Sequence, residues 1–279
     1  MKLSIPQGTR DFSPEVVRRR QYIGNTIKKI FEQFGFQPIE TPSMENFSTL
    51  MGKYGEEGDR LIFKILNNGI HDPKNIEKSK AAFENILTGK NDPRLTERAL
   101  RYDLTIPFAR YVVMHQHEIA FPFRRYQMQP VWRADRPQRG RYREFWQCDA
   151  DIIGSTSLVN EAELIALYQA VFHALGIAGI QIKINNRKLL SGLAECCKAE
   201  HHFTDITIAI DKLEKIGWEG VEQELLQRGL QSEQIAFIQQ YLSLQGNNSE
   251  ALLDNMQSLL ASSEIALKGI EELRNTLAI

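Results

Sequence analysis

The chain has 279 residues, 42% of them hydrophobic and 25% charged, the balance of a globular protein with a sizeable core, which excludes disordered, collagen-like and disulfide-scaffold classes. Its 34 Lys and Arg face 35 Asp and Glu, a net charge of -1, so any patch that binds nucleic acid must be local. Cys148, Cys196 and Cys197 show no CxxC spacing, and no apolar run approaches a membrane span or a signal-peptide core, so a reduced, cytoplasmic protein is expected.

In chain order, Ser13 before Pro14 predicts a helix start, and Ile23, Ile27, Ile30, Phe31 and Phe34 carry the helical spacing to a stop at Gly35. Short strands are predicted at 36–40 and 60–65, followed by a polar surface loop over 67–97. Alternation over 99–105 predicts a strand with Arg101, Asp103 and Thr105 on one face, and a helix from Pro107. Residues 124–153 form two strand-like runs about the turn-rich segment 135–140, the pattern of a long antiparallel hairpin. In its second run the even positions Trp146, Cys148, Ala150 and Ile152 are apolar. The odd positions Gln147, Asp149 and Asp151 are polar, so the even face is expected to pack and the odd face to be presented. An amphipathic helix with Leu164, Ile165, Tyr168, Val171, Phe172 and Leu175 on its buried stripe follows, then a strand over 180–184. After Asn186 the texture changes to short helical segments, with starts at Ser232 and Ser249 and a last segment from Ser263. Two domains are expected, 1–186 and 187–279.

The usual phosphate and metal signatures are missing from the sequence: it has no GxxxxGK[ST], no GxGxxG and no HExxH. Cys196, Cys197, His201 and His202 are paired neighbours that converge poorly on one tetrahedral ion, so no metal site is expected. The arginines say more. Nine lie between residues 101 and 143, without a lysine and against three acids, so nine minus three leaves a local charge of +6. Arginine in place of lysine favours bidentate gripping of phosphate or carboxylate. On the presented face, Arg133 and Arg141 can hold phosphates, Phe145 offers a ring to a purine, and Gln147 and Asp151 lie further along. Asp103 and Thr105 arrive from the neighbouring strand. Carboxylates facing arginines across an aromatic ring suit a substrate with an ammonium group and a nucleotide.

These residues also carry a resemblance. The segment 132–149, WRADRPQRGRYREFWQCD, resembles motif 2 of the class II aminoacyl-tRNA synthetases, and 99–105, ALRYDLT, resembles the strand with which the histidyl-tRNA synthetase family reads its amino acid. The turn 6–12, PQGTRDF, resembles that family's N-terminal turn, and 39–45, IETPSME, resembles motif 1, whose proline, here Pro42, lies at a dimer interface. The resemblance covers essentially the whole chain. It implies an α+β fold, a class II synthetase-type antiparallel sheet flanked by helices, followed by a small all-helical insertion domain that contacts tRNA. It implies that Arg133 holds the ATP α-phosphate and the histidine carboxylate, Arg141 the outer phosphates, and Phe145 the adenine. Asp103, Thr105, Gln147 and Asp151 would hold the histidine. The implied activity is histidine-tRNA ligation with L-histidine, ATP with Mg2+, and tRNA-His as partners, in a homodimer. Motif 3, an RGLDYY-type segment and an anticodon-binding domain are not found in the sequence, so an N-terminal portion of a synthetase, inactive alone, is expected, its helical domain truncated. The alternatives are a synthetase-like regulatory subunit of ATP phosphoribosyltransferase and a nucleic-acid-binding module.

Overall fold

In the computed structural model the Ser13 hydroxyl accepts from the Val16 N–H and Pro14 takes the first helical position, so α1 (Pro14–Gln33) begins where the sequence predicts. Gly35, at φ +78°, turns the chain out of the helix in a left-handed conformation that a side chain would strain. The structure describes residues 3–279, without the side chains of 55–57. They fall into two units. One holds the described residues up to Ser155 together with Leu167–Ala178, the other Thr156–Ala166 with Gly179–Ile279.

In the first unit, β1 (Gln37–Pro38) is followed by β2 (Met44–Asn46), α2 (Phe47–Leu50), α3 (Gly55–Arg60), β3 (Lys64–Ile65), α4 (Ile76–Leu87), β4 (Arg98–Leu100) and α5 (Thr105–His115). Then come β5 (Phe123–Trp132) and β6 (Glu144–Ile153), the two long strands. They pair antiparallel from Phe123 opposite Ile153 to Trp132 opposite Glu144, the predicted hairpin. β1 adds to β5 in parallel, and a second antiparallel sheet has the order β2-β4-β3. The expected α+β class holds.

Several local expectations fail, for physical reasons. The strand predicted at 60–65 is two residues long, because Arg60 ends α3. The surface loop predicted over 67–97 contains α4, which buries Ala82 against the rest of the unit. The strand predicted through Thr105 stops at Leu100, since the Asp103 carboxylate accepts the Ile106 N–H and the chain turns into α5 two residues before Pro107.

The packing of β6 is also reversed. Trp146 is 54% exposed and Cys148 is exposed, while the odd side chains Phe145, Gln147, Asp149 and Asp151 are half-buried. Helix α1 lies over the even residues of β5 instead: Phe31 meets Tyr126 at 5.5 Å between ring centroids, and the Tyr126 hydroxyl donates to Glu32. A groove of about 880 Å³ therefore remains between α1 and β6, with Phe12, Ile23, Met128, Trp146 and Cys148 among its walls.

Helix α6 (Val159–Ala174) buries Leu167 and Val171, whereas Tyr168, placed on the predicted stripe, is exposed. No strand forms over 180–184 among the described residues. Ile180, Ile182 and Ile184 stay about a third exposed, because an extended run without a neighbouring strand has no ladder to complete.

Residues 187–279 form α7 (Arg187–Cys196), a 3-10 turn at Glu200–His202, α8 (Phe203–Asp211), α9 (Leu213–Gln227), α10 (Ser232–Leu242), α11 (Ser249–Leu259) and α12 (Glu264–Ala278). Asn186, Asn248 and Ser263 cap α7, α11 and α12. Gly217, at φ +69°, breaks α9. Leu193, Ile206, Val221, Leu225, Ile238 and Leu260 are fully buried in one continuous core. At the crossing of α7 and α12 a Cβ on Gly192 would stand 2.4 Å from the Ala266 Cβ, so only glycine allows this approach.

Candidate functional site

The hairpin and the turn after β4 build one cleft of about 510 Å³, walled by Tyr54, Tyr102, Arg133, Asp135, Arg141 and Phe145. Arg133 follows the last residue of β5, and its N–H donates to the Arg143 carbonyl at 2.9 Å, which carries the ladder one step past the strand. The Arg133 Nε donates to the Tyr102 carbonyl at 3.1 Å. Its guanidinium stands 4.3 Å over the Tyr102 ring and 5.2 Å over the Phe145 ring. Arg133 is thus held from two sides with donors to spare, a cation fixed beside an aromatic face. Arg141 is at the far side of the loop, 60% exposed, with Asp135 at 3.3 Å as its ion-pair partner. Such an exposed pair yields readily to a stronger anion.

Below Phe145 the same face of the sheet becomes polar on both strands. Gln147 pairs in register with Gln129, Asp149 with Gln127 and Asp151 with Arg125. Arg125 is 0% exposed and stacks 4.2 Å over Phe108. It forms an ion pair with Asp151 at 2.7 Å and donates to the Leu104 carbonyl. Burial lowers the affinity of the Arg125 guanidinium for its proton, against Asp151, Asp149 and Asp103, which raise it. Burial likewise lifts the Asp149 and Asp151 carboxyls above the usual aspartate range, with Arg125 opposing. The Oε1 atoms of Gln127 and Gln147 and two Arg125 nitrogens are buried without a hydrogen-bond partner among the described residues. Each such group costs roughly 1–3 kcal/mol, which a polar ligand would offset.

Of the residues singled out from the sequence, Arg133, Arg141, Phe145, Gln147 and Asp151 share the loop and the odd face of the hairpin. Asp103 joins them: its carboxylate accepts from the Tyr54 hydroxyl at 2.9 Å and from the Ile106 N–H. Burial and that carboxylate together push the Tyr54 hydroxyl well above its ordinary range, so it stays a donor. Thr105 is the first residue of α5 and exposed, rather than part of a strand face. Pro42 is exposed, and its carbonyl accepts from Arg101 at 3.3 Å.

Sequence reasoning missed four contributors. Arg125 lies directly opposite Asp151, a pairing that the hairpin register could have shown. Tyr54 and Tyr102, which stack at 4.5 Å, carried no local signal. Arg101 is fully buried, without an ion pair among the described residues, and its guanidinium donates to the carbonyls of Thr41 and Pro130 and to Gln129 Oε1. It ties the turn after β1 to the end of β5, directly beneath the cleft.

Residues 80–279 match the family model described as histidyl-tRNA synthetase. A histidine--tRNA ligase of Christiangramia forsetii is 58% identical over 273 residues, 98% of this chain and 59% of that protein. One of Flavobacterium johnsoniae is 54% identical over 288 residues, again 98% of this chain and 60% of the relative. Among solved structures, a histidyl-tRNA synthetase from Nostoc sp. PCC 7120 superimposes with a TM-score of 0.78 at 31% identity, covering 100% of this chain and 57% of that one. The chain spans about three fifths of the length of these relatives.

Proposed function

Because the chain belongs to the histidyl-tRNA synthetase family, we propose that its cleft takes part in ATP-dependent activation of L-histidine for transfer to tRNA-His. The observation that carries this reading is Arg133, fixed between Tyr102 and Phe145 with Arg141 across the loop. Adenine stacks on Phe145, the α-phosphate meets Arg133, and the outer phosphates, with their Mg2+, meet Arg141 in place of Asp135. The histidine lies deeper, among Asp103, Gln147 and Asp151, with Thr105 at the exposed start of α5, its ammonium facing a carboxylate and its own carboxylate turned toward Arg133.

In this arrangement a histidine carboxylate oxygen attacks the α-phosphorus. The bond from that phosphorus to the bridging oxygen breaks, and pyrophosphate leaves with the electron pair. The carboxylate is ionised at neutral pH and needs no general base, so the protein contributes position and positive charge. In the second half, a terminal ribose hydroxyl of the tRNA attacks the activated carbonyl carbon and expels AMP. Residues 187–279 serve as the helical insertion domain that meets the tRNA, and the exposed Pro42 serves at the interface of a homodimer working in the cytoplasm. The regulatory-subunit alternative is not favoured, since curated relatives at 48–58% identity bear the ligase name.

Calorimetric titration of the chain with ATP and with L-histidine tests the reading. Arg133→Ala is expected to weaken ATP binding by about tenfold or more, since a charge-assisted contact is worth roughly 1.5–3 kcal/mol. Asp103→Ala is expected to weaken histidine and leave ATP unchanged. Binding of neither ligand by the unaltered chain would overturn the reading.

A further inference from the structure

The turn at residues 6–12 takes no part in the site described above, yet it reaches the loop that carries Arg141 by three separate routes. The Arg143 N–H donates to the Gly8 carbonyl at 2.8 Å. Gly8 sits at φ +85°, and a Cβ there would stand 2.8 Å from Arg143 Cγ and 3.0 Å from Pro137 Cγ. The turn therefore presses on the loop both before and after its tip, and only glycine fits the space and the backbone angle. The third route is a stack of rings and cations. The Arg10 guanidinium lies 3.3 Å over the Tyr142 ring and 5.0 Å from the centre of the Phe12 ring, and Arg20 of α1 lies 4.2 Å over Phe12. The turn is itself closed, with the Thr9 N–H and hydroxyl both donating to the Pro6 carbonyl.

We propose that this turn is a latch that fixes the phosphate-gripping loop to α1, with Arg10 as its positioning residue. The inference rests on the reading of the cleft as an ATP site and deepens it. Tyr142 follows Arg141, so clamping its ring fixes the backbone from which Arg141 projects. The loop's own ties, the Gln138 and Arg141 backbone pair and the Arg143 Nε bond to the Asp135 carbonyl, shape its tip and base, and the Arg133 and Ala134 N–H groups hold that base to the Arg143 and Leu61 carbonyls, but none of these anchors the Tyr142 ring. The stack supplies that anchor through a helix capped at Ser13. Arg133 and Phe145 do not depend on it, because Tyr102 and the strand ladder hold them.

The latch predicts a split between nucleotides. In Arg10→Ala, ATP affinity falls about threefold or more, the range of a lost cation–π contact, while AMP, held by Arg133 and Phe145, binds as before. Arg10→Lys restores most of the loss, and Tyr142→Leu reproduces it. A general loosening of the fold would weaken both nucleotides together. Without nucleotide, Arg10→Ala is expected to speed tryptic cutting after Arg139 and Arg141. Equal ATP affinity in parent and variant, or a parallel loss for ATP and AMP, overturns the latch. If the parent binds no ATP, the reading of the cleft falls, and the cutting rate alone decides: an unchanged rate overturns the latch as well.

Discussion

Arg101 and Arg125 are both fully buried, but among the described residues Arg125 alone of the two pairs with a carboxylate, so the two cations are held in different ways. Arg101 relies on carbonyl dipoles, and removing it takes a donor from the Pro130 oxygen and leaves the Thr41 oxygen with the Gln129 amide at 3.3 Å. Arg101→Met is expected to cost about 3 kcal/mol, measured by urea unfolding of the unit that contains it. Around Arg125 the burial of Asp149 and Asp151 leads to a pH effect. Their carboxyls are raised above the ordinary 3.8, so the folded chain holds protons that the unfolded chain has already released. The stability they confer is therefore greatest on the acid side of that window and declines as pH rises through the raised values. Histidine binding runs the other way, because an ammonium group needs an ionised partner. Its affinity is expected to fall on acidification while the pH is still above 3.8, and Asp151→Asn should flatten that limb of the calorimetric profile.

At the scale of elements, what the sequence made legible depended on local signals. The α1 cap, the hairpin and the capped helices after Asn186 all announce themselves through turn and cap residues within a few positions. The odd face of the hairpin was readable too, since parity alone groups Phe145 with Gln147 and Asp151. What parity cannot say is which face a helix covers, and α1 covers the even residues of β5 while leaving Trp146 open. The helix at 76–87 was hidden because no side chain caps it at Asn75 and it buries little beyond Ala82. Asp103 defeats the alternation over 99–105 by capping the next helix, a choice its carboxylate makes through the Ile106 N–H. The crossing of α7 and α12 was equally silent, since a glycine inside a helix gives no sign of what approaches it. Gly192→Ala is expected to destabilise the helical unit by about 1–3 kcal/mol through overpacking against Ala266, seen as a lower melting temperature by circular dichroism.

At the scale of the whole molecule, the buried side chains from Leu189 to Leu273 make one cluster contributed entirely by residues after 186, and Phe47, Leu50, Ile62 and Ala99 belong to another under the cleft. A unit with its own core can unfold on its own, so two transitions are expected in denaturant rather than one. The two substitutions above make this testable. Gly192→Ala acts on the helical core alone, and Arg101→Met acts on the turn beneath the cleft alone, so each should move one transition and leave the other in place. Far-ultraviolet circular dichroism follows the helices of both units, whereas tryptophan fluorescence in a Trp218→Phe background, which removes the tryptophan of α9, follows Trp132 and Trp146 on the hairpin alone. A single transition shifted by both substitutions would mean that the cleft and the helical unit fold as one, and the stability of the nucleotide site would then depend on residues after 186.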